Sequence, residues 1–471
     1  MRYSGGMNQW FRWDAETPQA EPGWRWLAEA LGMPALLVTP ARARGDIALG
    51  PGRLGEKSRE KFTALLGEDG VRQDKDGRLA HAVRATAADR LKLRAGLVAQ
   101  VPDAVLVPRH QGDVLAILRI CAEDGIAVAA SGDRVHVALN LSRMDRLLSV
   151  DFMAGLAEVE AGISSAELSR QLAARGLWLG PDSFASLGGH AAGQGIAWLQ
   201  DVAVATPRGV IGSGHGLAFL KGACGIITAA TLRVRALPAH SETRHYLFPD
   251  FAGGLAALHE AERLGLALTG ARLSDGAQTH FDARLTGQRQ TFRQRLEEMY
   301  RRPRPEEGTA AALAVHFCGS EVDIVTARKR FDALALRLGA LERDTAEAGD
   351  QTETLLDRGV TVDSIQVFAT WSRLPVLYAA ARAALDRAMR EHAPCAGSHG
   401  LVLGQVSGVC PDGAQLRLTI VFPRVLGNGV AQAETIRAAA EKAMAGPEPS
   451  LLETQIQAAV RQVLDPRGVF R

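Results

Sequence analysis

The sequence predicts an α+β protein of two domains, preceded by a helical N-terminal segment and followed by a short tail. From Val101 onward, strand-like alternation and helix-like periodicity succeed each other, whereas residues 1–100 are mostly helical in period. A long alternating strand ends before Pro238, and a new series of strands and helices follows it. A chain of 471 residues is also too long for one hydrophobic core.

The composition is typical of a soluble globular protein. Hydrophobic residues make up 47% of the chain and charged residues 23%. The 54 basic residues nearly balance the 52 acidic ones and are spread along the chain, which argues against nucleic acid as a partner. We therefore expect a small-molecule substrate, and a homo-oligomer or a protein partner is compatible with this surface.

The cysteines and the apolar runs indicate the compartment. No CxxC pair and no zinc-ligand spacing occurs, so we expect no metal site. No apolar run is long enough to cross a bilayer, and the N-terminus lacks the pattern of a signal peptide. We therefore expect a cytoplasmic protein without a transmembrane segment. The five cysteines are Cys121, Cys224, Cys318, Cys395 and Cys410.

The first domain, residues 101–238, is predicted to open with a strand, a helix that ends at Gly125, and two further strands. Residues 164–167 have the spacing of a capping box and predict a helix closed by Gly176. A glycine-rich loop, PDSFASLGGHAAGQG at 181–195, comes after the next short strand. Glycines of this kind can cradle a phosphate or form an ordinary turn.

The second domain, residues 239–448, is predicted to be a mainly antiparallel sheet with helices on one face. Its first cycle is a strand, RHYLF, followed by a helix from Phe251 to about Arg263. The tail, residues 449–471, predicts a helix, a turn and a final apolar anchor.

Several long segments, taken in order, carry a family resemblance. They are ALNLSRMDRLLSVD (138–151), EAGISSAELSRQLAARGLWLGPDS (160–183), LGGHAAGQG (187–195), GIITAATLRVRALP (225–238), LLDRGVTVDS (355–364) and TWSRLPVLY (370–378). The series resembles FAD-linked oxidases of the vanillyl-alcohol oxidase and p-cresol methylhydroxylase superfamily, and most closely the alkyldihydroxyacetonephosphate synthase-like branch. An ordered series of matches is far more specific than a lone glycine motif.

The resemblance implies a two-domain fold of the FAD-binding PCMH type and a flavoprotein oxidoreductase function. The first domain would hold FAD through two glycine loops. The second would be an α+β cap that lies over the flavin and binds substrate, and the tail would pack back on the FAD domain.

Both implied flavin loops depart from the family pattern. In the first, Ser131 and Gly132 could donate backbone N–H groups to a phosphate, but Asp133 would place a negative charge there, and a plain hairpin connection is favoured. The second loop keeps more of the pattern, and the later GIIT segment matches as well. The residues implied in FAD binding there are Pro181, Ser183, Ser186, Gly188, Gly189, Gly193, Gln194, Gly195, Gly225, Ile227 and Thr228.

The substrate side departs further from the family. Thr352 stands where synthase-like members carry an arginine, and the positions of their catalytic histidines and tyrosine read Gln405, Gly408 and Cys410. Because these residues cannot serve as acid or base at neutral pH, we assign no catalytic residue. Arg417 replaces an aromatic residue of the family, and it is either a new anion ligand or a charge on a strand surface.

Two matching Asp and Arg pairs are interpreted as structural. These are Arg272 with Asp275, and Asp357 with Arg358, since such pairs are more often structural ion pairs than catalytic ones.

Two hypotheses for the function follow. In the first, the chain is an FAD-binding oxidoreductase-family protein that acts on an unidentified small molecule, either hydroxy-acid oxidase-like or alkyldihydroxyacetonephosphate synthase-like. In the second, it is a catalytically degenerate and cofactor-free paralogue that acts as a binding or partner-stabilising protein.

Overall fold

The structure is a computed structural model, and it describes most of the chain. The described residues are 21–82, 86–97, 101–128, 135–180, 199–212, 225–266, 268–285, 309–343, 349–445 and 451–470. None of the helices within these ranges is long and apolar enough to cross a membrane.

The N-terminal segment is helical and contacts both domains. Its elements are α1 (Glu21–Ala30), α2 (Glu56–Leu66), β1 (Val71–Arg72), α3 (Lys75–Ala80) and α4 (Ala87–Arg94). Phe62 of α2 packs in the hydrophobic core of the first domain, whereas Leu91 of α4 packs in that of the second. Leu27 of α1 joins a smaller cluster with Leu403 and Val421 of the second domain.

The described strands of the first domain form three small sheets. Its elements are β2 (Ala104–Leu106), α5 (Gln111–Asp124), β3 (Ala127–Val128), β4 (His136–Leu139), β5 (Leu147–Asp151), β6 (Leu156–Glu160), α6 (Ser165–Ala173), β7 (Leu177–Trp178), β8 (Leu199–Thr206), β9 (Gly209–Ile211), β10 (Ile226–Arg233) and β11 (Arg235–Ala236). Among the described strands, one sheet has the order β1-β2-β4-β3, a second has the order β5-β6-β10-β8-β9, and a third pairs β11 with β7. The predicted end of α5 at Gly125 is confirmed, because this residue has the left-handed conformation, with φ of 70°.

The capping box predicted at the start of α6 forms only in part. Ser164 Oγ accepts from the Glu167 N–H at 3.2 Å, as expected of an N-cap residue. The Glu167 carboxylate does not reach back to Ser164 and instead accepts from Arg170 and Gln171. A guanidinium one turn along the helix therefore outcompetes the N-cap amide for this carboxylate.

The second domain is built on a long antiparallel sheet, as predicted, but helices lie on both of its faces and not on one. Its elements are β12 (His240–Phe248), α7 (Phe251–Arg263), β13 (Gly270–Ser274), α8 (Gly276–Leu285), β14 (Ala311–Gly319), α9 (Glu321–Arg337), β15 (Leu341–Glu342), α10 (Thr352–Asp357), β16 (Val360–Thr370), α11 (Leu374–Glu391), β17 (Leu401–Cys410), β18 (Gly413–Pro423) and α12 (Gly429–Met444). Within the described ranges the strand order is β15-β12-β14-β13-β17-β18-β16.

The two faces of this sheet differ in polarity because side chains alternate along each strand. Leu273, Val406 and Leu416 point to the face covered by α7, α9, α11 and α12, where they join the main core. The side chains of Arg272 and Arg417 point to the opposite face. Only part of this opposite side is polar: Gln366, Gln405, Gln415 and Arg417 are half-buried there, and we call this part the polar face. Farther along the same strands, Leu403 and Val421 lie on this side and join the apolar cluster that contains Leu27 of α1 and Phe281 of α8.

The tail contains the expected helix and apolar anchor. α13 (Leu451–Leu464) is followed by a turn, and Val469 is 1% exposed. The Val128 N–H donates to the Val469 carbonyl at 2.7 Å, and the Asp465 carboxylate accepts from the N–H groups of Val469 and Phe470. These bonds attach the end of the tail to β3 of the first domain.

Candidate functional site

Most of the residues implied in FAD binding lie outside the described residues. They are Ser131, Gly132, Pro181, Ser183, Ser186, Gly188, Gly189, Gly193, Gln194 and Gly195. The structure therefore places three of the implied flavin residues, which lie at and just before the start of β10.

Gly225 and Thr228 have contacts that explain their identity without a ligand. A Cβ on Gly225 would lie 2.4 Å from Val204 Cγ1 and 2.7 Å from the Ala205 carbonyl oxygen, so only glycine fits this close to β8. The Thr228 hydroxyl is fully buried, accepts from Gln111 Nε2 at 2.8 Å and donates to the Ala203 carbonyl at 3.3 Å. This hydroxyl links the start of α5 to β8 and β10.

The beginning of β10 is nevertheless compatible with a flavin. Ile226 packs against one core of the first domain and Ile227 against the other, and both side chains stay half-buried. Apolar surface is thus left beside Gly225, and a planar ring system can cover such surface. Among the described residues, no group of His, Cys, Asp or Glu could hold a metal ion.

On the polar face, the strand register aligns one row of polar residues. Ser274 of β13 pairs with Gln405 of β17, which pairs with Arg417 of β18. Arg417 in turn pairs with Gln366 of β16, and its Nε and Nη2 donate to Gln366 Oε1 at 3.2 and 3.1 Å. Gln405, which takes the place of a family histidine, is therefore the direct neighbour of Arg417.

The row has a positive electrostatic character. No carboxylate of the described residues lies within 4 Å of the Arg417 guanidinium, whose hydrogen-bond partner is a neutral amide. Burial, and then the positive charge of Arg272, lowers the pKa of Arg417. Arg272 lies on the same face because it is two residues from Ser274. An arrangement of this kind attracts an anion, and the four described residues of the row carry no group that transfers protons at neutral pH.

The other substituted positions lie elsewhere. Thr352 is the first residue of α10, and its backbone N–H donates to Asp350 Oδ1 at 3.0 Å. Gly408, with φ of 56°, lies at an irregularity near the end of the β17 and β18 hairpin. The backbone carbonyl of Cys410 in the same hairpin accepts from Trp371 Nε1 at 3.1 Å. These three residues support turns and helix ends.

Neither predicted ion pair forms as expected. The Asp275 carboxylate is 1% exposed and, in place of Arg272, it accepts from the Tyr378 hydroxyl and Arg382 Nη1. Asp275 follows the end of β13, so it turns toward the core while Arg272 lies on the polar face. Both residues of α11 were missed by the sequence reasoning, although Tyr378 ends the TWSRLPVLY segment.

The second pair is separated in the same way. Asp357 forms an ion pair with Arg94 of α4, and the Arg358 guanidinium lies over the Trp24 ring, 5.4 Å from its centroid. Both interactions join the second domain to the N-terminal segment, so their role is structural.

Two successive parts of the chain, one in the first domain and one mainly in the second, match known protein families. Residues 102–213 match the family described as FAD binding domain, and residues 237–407 match that of FAD linked oxidases, C-terminal domain. Together these matches cover more than half of the chain. The chain belongs to the FAD-linked oxidases.

Curated relatives of this FAD-linked oxidase include alkyldihydroxyacetonephosphate synthases. The protein from Trypanosoma brucei brucei is 26% identical over 46% of this chain and 42% of its own length. The one from Dictyostelium discoideum is 27% identical over 51% of this chain and 46% of its own. The chain thus matches a little under half the length of these two relatives.

Solved structures show the same fold. An alkyldihydroxyacetonephosphate synthase structure aligns with a TM-score of 0.77 at 19% identity, covering 95% of this chain and 92% of that one. Substrate-bound p-cresol methylhydroxylase aligns with a TM-score of 0.62 at 14% identity, covering 90% and 98%. The predicted PCMH-type fold is confirmed, and nothing in these comparisons supports the alternative of a degenerate, cofactor-free paralogue.

Proposed function

We propose that this chain binds FAD and acts as an oxidoreductase-family flavoprotein on a small anionic molecule. One observation carries the proposal: an FAD-binding family and the C-terminal family of FAD-linked oxidases match adjacent parts of the same chain. When bound, FAD supplies a ring that accepts or returns an electron pair. The proposed division is residues 101–238 for the cofactor and 239–448 for the substrate, with the tail at 449–471 closing on the first domain.

The residues proposed to hold FAD are the glycine loop at 181–195 and the segment Gly225 to Thr228. Glycines in a loop let several backbone N–H groups approach a pyrophosphate, and this requirement is met at 188, 189, 193 and 195. The half-buried Ile226 and Ile227 support a flavin ring beside this segment.

Two substrate classes are compatible with this proposal, a hydroxy acid and a dihydroxyacetone phosphate derivative of the kind that the relatives' names specify. Both are anions, and the positive polar face supports an anion. Gln405 and Cys410 give this chain no histidine or tyrosine at the family's acid and base positions, so proton transfer would require other groups.

The described cysteines are free thiols, and we propose a reducing, cytoplasmic compartment on this ground.

The proposal is tested by FAD binding to a matched pair of variants. Gly189→Asp would place charge and bulk beside the phosphates, whereas Gly349→Asp adds the same side chain at an exposed glycine whose Cβ would meet nothing within 4 Å. We expect FAD to raise the thermal midpoint of the wild type and of Gly349→Asp, and to leave that of Gly189→Asp unchanged. An equal rise in both variants would show that the loop at 181–195 does not hold the phosphates.

A further inference from the structure

Arg417 lies in the interior of the sheet of the second domain, on the polar face. It is on β18, which has β17 on one side and β16 on the other. Arg272 lies on β13, separated from β18 by one strand, which corresponds to about 10 Å across the sheet. The long side chains of the two arginines share this face, and Arg272 is close enough for its charge to act on Arg417.

The charge of Arg417 has no counter-ion among the described residues. Its guanidinium donates through two nitrogens to one neutral oxygen, Gln366 Oε1, and its remaining N–H groups make no further hydrogen bond there. A half-buried charge that is balanced only by an amide costs free energy, and a second positive charge nearby increases that cost. The fold would be more stable with a neutral residue at this position.

The neighbours of Arg417 are suited to complete an anion site. Gln405 lies directly opposite it in the register of β17 and β18, and Ser407 lies two residues farther along the same face. Neither side chain forms a hydrogen bond with a described residue, so the amide and the hydroxyl are free to donate. A guanidinium fork flanked by neutral donors is the arrangement that proteins use for carboxylates and phosphates.

We propose that Arg417, together with Arg272 and Gln405, binds the oxyanion of this protein's substrate, a carboxylate or a phosphate, on the polar face of the second domain. This inference rests on the proposed function in one respect, namely that the anion belongs to the substrate of the flavin. It gives this chain an anion ligand at a place different from Thr352, where the family arginine would be.

The competing interpretation is that Arg417 is structural and serves to hold Gln366 across β16 and β18. The two interpretations predict opposite effects on stability. If Arg417 binds an anion, Arg417→Gln removes an uncompensated charge, so the thermal midpoint in anion-free buffer stays the same or rises. If it is structural, the midpoint falls.

The experiment uses the purified full-length chain, with and without FAD, and titrates it calorimetrically with three anions. These are inorganic phosphate, glycerol 3-phosphate and glycolate, with uncharged glycerol as the comparison. The variants are Arg417→Gln, Arg417→Lys, Arg272→Gln and the control Arg373→Gln, which removes one exposed positive charge of the same domain.

We expect at least one anion to bind saturably to the wild type and to Arg373→Gln. Its affinity should be at least tenfold weaker for Arg417→Gln and for Arg272→Gln. Arg417→Lys should recover part of the affinity lost in Arg417→Gln. Preference for the phosphates or for glycolate identifies which oxyanion the site takes. The proposal is overturned if no anion binds the wild type saturably, if both glutamine variants bind as tightly as the wild type, or if Arg417→Gln lowers the thermal midpoint in anion-free buffer.

The design also separates this proposal from the proposed function. If the protein takes up no FAD but still binds anions in an arginine-dependent way, the anion site is supported and the proposed flavoprotein function is contradicted. FAD binding without arginine-dependent anion binding would support the flavoprotein and contradict the anion site.

Discussion

The Tyr378 hydroxyl donates a hydrogen bond of 2.7 Å to Asp275 Oδ2 in the core of the second domain. The same carboxylate oxygen accepts from the Gly404 N–H at 2.8 Å and from Arg382 Nη1 at 3.1 Å. The buried carboxylate thus joins the end of β13 to α11 and β17. Burial raises the pKa of Asp275 despite these donors.

Tyr378→Phe removes one donor from this carboxylate. We expect a loss of about 2 kcal/mol in the free energy of unfolding, because the oxygen is too deeply buried for water to replace the hydroxyl. The control is Tyr246→Phe, whose hydroxyl donates to the half-buried Asp332 at 2.7 Å and whose loss is expected to be smaller, about 1 kcal/mol. Urea unfolding of both variants measures the difference, and equal losses would contradict the role given to Asp275.

The same bond has a pH dependence whose sign follows from the raised pKa of Asp275. Between the ordinary aspartate pKa and the raised one, the folded state holds the proton that the unfolded state has lost. The contribution of Asp275 to stability therefore falls as the pH rises through this interval. Because the Tyr378 hydroxyl stabilises the ionised form of Asp275, we expect the difference between wild type and Tyr378→Phe to be larger at pH 8 than at pH 4. A difference that is larger at pH 4 would contradict the assignment.

Gly404→Ala should destabilise the second domain through the same group. A Cβ at this position would lie 2.6 Å from Asp275 Oδ2 and 2.7 Å from Tyr378 Cε2, and relieving these contacts costs about 2 kcal/mol. Gly349→Ala, at an exposed glycine without neighbours within 4 Å, is the control. Thermal unfolding compares the two, and a stable Gly404→Ala would show that β17 can move away from Asp275.

Arg94 holds the N-terminal segment on the second domain through a buried ion pair. Its Nη1 lies 2.8 Å from Glu353 Oε2, and the two side chains are 5% and 8% exposed. We expect Arg94→Met to cost about 3 kcal/mol, because it leaves the Glu353 carboxylate buried without its partner. The double variant with Glu353→Gln should recover part of this loss in a double-mutant cycle. Additive losses would show that the pair is not coupled.

The described cysteines should differ in reactivity. Cys121 is buried in the core of the first domain, and burial raises the pKa of its thiol to about 12, whereas Cys395 is exposed. In the native protein at pH 8, iodoacetamide should label Cys395 and leave Cys121 unmodified until denaturant is added. Peptide mass spectrometry reads out both sites, and rapid native labelling of Cys121 would contradict the packing of α5.

Much of the fold could be predicted because local signals agree with the tertiary structure. The helix predicted from Phe251 to about Arg263 is confirmed with these bounds, since Asp250 caps its first turn and Gly265 follows its end. Helix α8 was not predicted. Its first turn is fixed by Asp275, whose Oδ1 accepts from the Gln278 N–H, and its residues show little apolar periodicity.

The site was less predictable, because side-chain partners depend on register and on distant elements. The sequence favours a pairing of Asp275 with the nearby Arg272, yet Tyr378, which donates to Asp275, lies 103 residues farther along the chain. The sequence alone allows Arg417 to be either an anion ligand or a charge on a strand surface. Only the register of β16, β17 and β18 shows that its neighbours are neutral amides.

If this chain is a flavoprotein, as we propose, the visible absorption spectrum of the purified protein reveals the bound cofactor. Spectra are taken before and after incubation with FAD and removal of the unbound cofactor. We expect flavin absorption bands at near-stoichiometric occupancy. A colourless protein that retains no FAD, and whose thermal midpoint FAD does not change, would contradict it.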